Sequence, residues 1–135
     1  NRTLLLNKEE EMANPYASHK NDYLRNQVMS ASPNKLIEML IEGAIKSIKK
    51  AEMAIEDKKI EAANNEIVHA QDIVDELKFS VNKEIEGDIP QQLISIYDVV
   101  EQELIQANIH KDKNHLEIAS TMLNELLDAW KQITK

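Results

Sequence analysis

The chain has 135 residues, the length of one domain. Its 16 Lys and Arg against 24 Asp and Glu give a net charge of −8, which repels nucleic acid and anionic membrane surfaces. With no Cys, 2 Gly, 3 Pro and 4% aromatics it lacks the material for disulfides, thiolate metal sites, cysteine nucleophiles, Gly-rich phosphate loops or base-stacking platforms, and a small all-helical fold remains.

Residues 1–11 differ in composition from the rest of the chain. Leu4-Leu5-Leu6 is too short for a signal-peptide apolar region and runs into Lys8-Glu9-Glu10-Glu11. Met12 is expected to be the natural start, with 1–11 a non-native or disordered extension and 12–135 a single helical domain. The expected compartment is the cytoplasm. Asn14-Pro15-Tyr16 is a helix-start signal, an Asn cap before Pro at the first helical position. Tyr16, Tyr23 and Leu24 then form one weak stripe. Residues 12–30 are therefore expected to be a short cap helix or segment that docks on a larger body.

Ser32-Pro33 repeats the start signal, and residues 32–135 carry four long amphipathic helices. In the first, Ile37, Ile41, Ala44, Ile48, Ala51 and Ile55 alternate steps of four and three, which is a helical seam. Leu36, Met39 and Leu40 widen that seam at its start. Glu56-Asp57-Lys58-Lys59 is a polar break. The second seam is Ile60, Ala63, Ile67, Ala70, Val74, Leu77 and Val81. Gly87-Asp88-Ile89-Pro90 is expected to end that helix and start the next. The third is carried by Leu93, Tyr97, Val100, Leu104 and Ala107. Asp112 or Asn114 can cap the fourth, whose seam is Leu116, Ala119, Leu123, Leu126, Trp130 and Ile133. The connections are short enough to force antiparallel neighbours. The pattern predicts an all-α, antiparallel, up-down four-helix bundle.

Chemistry is sparse. Glu66-Ile67-Val68-His69 has the Glu-x-x-His spacing of di-iron bundles, because one turn puts both side chains on one side. Such a site needs a second pair, and Asp112-Lys113-Asn114-His115 lies at a helix start. Metal and cofactor are therefore expected to be absent. His19, His110 and His115 sit in polar stretches and read as solvated. Ser47, Ser80, Ser95, Ser120 and Thr121 are expected within helices, mostly on polar faces, without the turn a hydrolase nucleophile needs. No enzyme is expected. Two assignments stay open at this point. Trp130 is a core residue or a partner contact. The surplus at Leu36, Met39, Leu40 and Ile41 is a deeper core or a groove for an amphipathic segment.

The order Asn14-Pro15-Tyr16, Ala31-Ser32-Pro33 and Leu36-Ile37-Glu38-Met39-Leu40-Ile41-Glu42-Gly43 closely resembles the FliS family of flagellin-specific secretion chaperones. The resemblance continues through 70–77, Ser80-Val81-Asn82, Tyr97-Asp98, 104–108 and Ala129-Trp130, and covers about residues 13–132. Two departures stand out: Ile41 replaces a usual Tyr, and Asn34-Lys35 replace a Gly-Glu that would complete a capping box.

The resemblance implies a non-enzymatic cytoplasmic chaperone with an antiparallel four-helix bundle and an N-terminal cap. Such a protein binds the C-terminal segment of flagellin, prevents early polymerisation, and presents the subunit to the export gate of the flagellar secretion apparatus. It binds no nucleic acid, does not insert in the membrane, and is expected as a monomer or weak homodimer. The expected flagellin groove is Leu36, Met39, Leu40, Gly43, Ile73, Ile105, Asn108 and Trp130. The expected N-terminal cap contacts are Asn14, Pro15, Tyr16 and Tyr23. Two other readings are a chaperone for a different secreted helical client and a structural helical-bundle oligomer.

Overall fold

The computed structural model describes residues 31–134, so the expected cap residues Asn14, Pro15, Tyr16 and Tyr23 lie outside the described residues. Among the described residues four helices run in order: α1 Pro33–Glu56, α2 Ile60–Phe79, α3 Ile89–His110 and α4 Lys113–Ile133. α1 packs against α2 and α4, and α3 against the same two, so each helix has two antiparallel neighbours around one core.

Local chemistry sets the helix ends. Ser32 Oγ accepts from Lys35 N at 3.2 Å and Pro33 opens α1. This is half a capping box, because Lys35 stands where an acidic residue would reach back; its ammonium pairs with Glu38 instead. α1 stops in a Schellman turn. Lys59 N donates to Ala54 O at 2.8 Å and Lys58 N to Ile55 O at 3.0 Å, with Lys58 at φ 59. The sequence holds no Gly there, so a lysine takes the left-handed position. Lys111, at φ 51, does the same after α3. Asp112 Oδ1 then caps α4 by accepting from Asn114 N at 2.8 Å.

The seams supply the core. Ile41, Ile48, Ile67, Val74, Val100, Leu104, Leu116 and Leu123 are all buried within it. α1 and α2 pack most extensively, and fully buried Ala44, Ala51, Ala63 and Ala70 lack the bulk that would hold their axes apart.

Four expectations needed correction. α2 ends at Phe79, well before Gly87, and residues 80–88 form an irregular connection. Ser80 Oγ donates to Glu76 O, and Asn82 Oδ1 accepts from Glu84 N at 3.0 Å. Such local bonds compete with helix continuation. Val81, the last member of the second seam, still packs on the core, but from the loop. Ile60 and Ile133, at the two outermost seam positions, project past the core and are exposed. Ser47 is buried rather than on a polar face, lying between α1 and α2 with Oγ 3.4 Å from His69 Nδ1. His115 is half-buried and paired with Glu103 at 2.7 Å, not solvated.

Candidate functional site

At one end of the bundle α1 begins, α2 stops, α3 begins and α4 ends. Because α2 stops early, no further turn of α2 fills the space there. A cavity of about 430 Å³ opens instead. Leu36, Ile37 and Leu40 from α1 form one wall, and Leu93, Tyr97, Ile89 and Pro90 from α3 the opposite one. Leu77, Val81 and Ile85 close the side toward the loop, and Trp130 of α4 completes the ring. Among the described residues its polar lining is Asn34, Ser80 and Asn82, with the phenol of Tyr97 and the indole of Trp130. No charged side chain among the described residues lines it, so it suits an apolar occupant with few polar groups.

Trp130 is held in place by its own donor: Nε1 donates to the Asn34 backbone oxygen at 3.0 Å. Tyr97 sits in the wall 1% exposed, and burial pushes its phenol up to about 12. At the rim, Ile85 and Ile89 stand 53% and 60% exposed. Exposed isoleucines beside an apolar cavity mark a surface that gains by being covered.

The structure brings three expected residues together here, namely Leu36, Leu40 and Trp130. Leu40 is 1% exposed, so it forms the floor and belongs to the core as well. Met39 and Gly43 are half-buried on α1 and do not line the cavity. Ile73 is a correction: it is 0% exposed, packed with Val74 and Leu77 in the core, and has no surface for a partner. A core-facing helix buries more than the strict seam, and Ile73 occupies that extra position. Ile105 and Asn108 lie toward the other end of α3, about 18 Å or more along the axis from Leu93. Asn108 Nδ2 donates to Asn64 Oδ1 at 2.9 Å, tying α3 to α2.

Sequence reasoning missed Ile85 as a member of the site and used Leu93 and Tyr97 only as seam positions. Ile85 stands between charged residues and offers no periodic signal. The apolar residues around Gly87-Asp88-Ile89-Pro90 were the one available hint. Among the described residues, no group of three His, Cys, Asp or Glu is placed to hold a metal. None of the described helices is long and apolar enough to cross a membrane.

A sequence model of the family described as flagellar protein FliS matches residues 12–135. The chain belongs to the FliS family. It is 36% identical over 119 residues to the flagellar secretion chaperone FliS of Bacillus subtilis, covering 88% of this chain and 85% of that one. It is 35% identical over 112 residues to the FliS of Salmonella typhimurium, covering 82% and 83%. In structure it is similar to a bacterial flagellar chaperone solved by crystallography, with a TM-score of 0.71 and 20% identity, covering 88% of this chain and 97% of that one. That last likeness supports the bundle alone. FliS is a family of flagellar secretion chaperones and not of enzymes. Ile41, where the resemblance leads one to expect Tyr, is fully buried in the core of this FliS chain.

Proposed function

We propose that this FliS-family chain acts in the bacterial cytoplasm, binds the C-terminal segment of flagellin, keeps it from polymerising early, and hands it to the export gate of the flagellar secretion apparatus. The observation that carries this reading is the uncharged cavity at the bundle end with Ile85 and Ile89 exposed at its rim. An amphipathic client segment lays its apolar face over that rim and seats one or two large side chains against Leu36, Leu40 and Trp130. Covering the apolar surface gives about 25 cal/mol per Å². Ordering the client costs about 2–5 kcal/mol, so the contact has to extend beyond the cavity. A client long enough to run along the bundle would also reach Ile105 and Asn108. Release needs no nucleotide if the gate takes the client.

Residues 12–30, with Tyr16 and Tyr23, are proposed to cover the same cavity when no client is present. Deleting residues 1–28 should then raise client affinity and increase binding of a dye that reports exposed apolar surface. Unchanged affinity and unchanged dye binding would remove that role. The client reading is tested with a peptide of the flagellin C-terminal segment against the full chain and an Ile85→Ser, Ile89→Ser variant. One-to-one binding is expected for the first and at least about tenfold weaker binding for the second. Equal affinity would place the client elsewhere.

A further inference from the structure

Among the described residues, the end cavity is not the only apolar surface left uncovered. Phe79 closes α2 and is 88% exposed, the most exposed large hydrophobic side chain among those described. It stands as a ridge between two shallow concavities. One is bounded by Asp72, Asp75 and Glu76, the other by Lys78, Asn82, Lys83 and Glu84. Phe79 is also the last member of an outward strip on α2. Glu61, Asn65, Val68, Asp72, Asp75 and Phe79 recur at steps of four and three, and all six are exposed to solvent. The strip runs straight for about 27 Å.

Its charge is one-sided. It carries three carboxylates and no cation. Lys78, the nearest ammonium on α2, is taken by Asp98 of α3 at 2.5 Å. Partial burial, and then the neighbouring Asp72, raise the Asp75 carboxyl above its usual range. Two carboxylates one turn apart are about 5–6 Å from each other, a span one guanidinium or two ammonium groups can bridge. Phe79 offers a ring face beside them, which favours a cation or an aliphatic stem.

We propose that the solvent face of α2 is a second docking surface, separate from the end cavity, for a cationic amphipathic helix of a partner protein. Its arginines or lysines meet Asp72 and Asp75, and its aliphatic residues cover Val68 and Phe79. A helix suits the strip because both have the same three-and-four spacing along a straight line. The proposed surface is independent of the flagellin reading.

The test titrates the full chain with a capped eighteen-residue alanine-based helical peptide bearing leucines near its ends and arginines between them. Binding is expected to weaken at least about tenfold in Phe79→Ser and in the Asp72→Asn, Asp75→Asn double variant. Both variants should bind the flagellin peptide as the parent does, and both should keep the parent's circular-dichroism spectrum and unfolding midpoint. No binding by the parent, or equal binding by all three proteins, overturns the proposal. A dimer that dissociates in Phe79→Ser would assign the face to a second copy instead. Displacement of the helical peptide by a peptide of residues 1–30 would assign it to this chain's own N-terminus.

Discussion

The indole nitrogen of Trp130 donates to the backbone oxygen of Asn34 at 3.0 Å, across 96 positions of sequence. The bond ties the last turns of α4 to the first turn of α1, where two helix ends would otherwise fray. It also fixes one wall of the end cavity. Trp130→Phe keeps an aromatic ring and removes the donor. The variant should lose about 1 kcal/mol of stability, the usual net worth of such a bond. Urea unfolding checks this, with a lower midpoint at unchanged slope. An unchanged midpoint would show that the bond does not hold α4 in place.

Leu40 and Ile85 line the same cavity but should respond in opposite ways. Leu40 is 1% exposed and shared with the core, so Leu40→Ala should cost about 2–5 kcal/mol. A charge there, as in Leu40→Asp, should unfold the protein rather than simply block binding. Ile85 is more than half exposed, so Ile85→Ser should leave the midpoint nearly unchanged while weakening client binding. Paired unfolding and binding measurements on the two variants test the division.

The contrast shows what the sequence carried. Periodicity located the four helices of the described residues, and most seam positions lie in the core, because a helix that must bury one stripe writes that stripe at steps of three and four. It gave Ile73 to a partner surface, since the strict seam is narrower than the face a bundle helix buries. Ile85 carried no periodic signal of its own. Its role comes from an irregular loop whose course depends on where α2 stops, and that is set by Ser80 and Asn82 bonding to nearby backbone. Asn108 was placed with Leu36 by resemblance, yet α3 carries it toward the opposite end of the bundle. Phe79, the last residue of α2, gave no sign in the sequence of being exposed.

Lys58 occupies a left-handed position that glycine adopts without strain. Lys58→Gly should stabilise the protein by about 0.5–1 kcal/mol, the left-handed cost of a side chain less the extra freedom glycine gives the unfolded chain. The Schellman bonds from Lys58 and Lys59 are kept, since both come from the backbone. Thermal unfolding of the variant should show a higher midpoint. A lower one would mean that the lysine side chain contributes more than its backbone costs.

Burial raises the Tyr97 phenol to about 12, above its usual value near 10. Between those values the folded state holds a proton that the unfolded state has lost. The stability Tyr97 contributes is therefore complete below about pH 10 and falls as pH rises toward 12. The loss amounts to about 2–3 kcal/mol. Tyr97→Phe should flatten this part of the pH profile relative to the parent. Ultraviolet titration of tyrosinate should show one phenol ionising late. If all three tyrosines ionise near pH 10, the ring is not enclosed as described.

The central claim is that the uncharged end cavity receives the flagellin C-terminal segment. Titration calorimetry of the full chain with that segment, at several temperatures, tests it most directly when repeated with the Ile85→Ser, Ile89→Ser variant. The predicted result is one-to-one binding with a negative heat-capacity change, the signature of buried apolar surface, and a clear loss of both affinity and heat-capacity change in the variant. Binding with the same affinity and heat-capacity change in both proteins would contradict it.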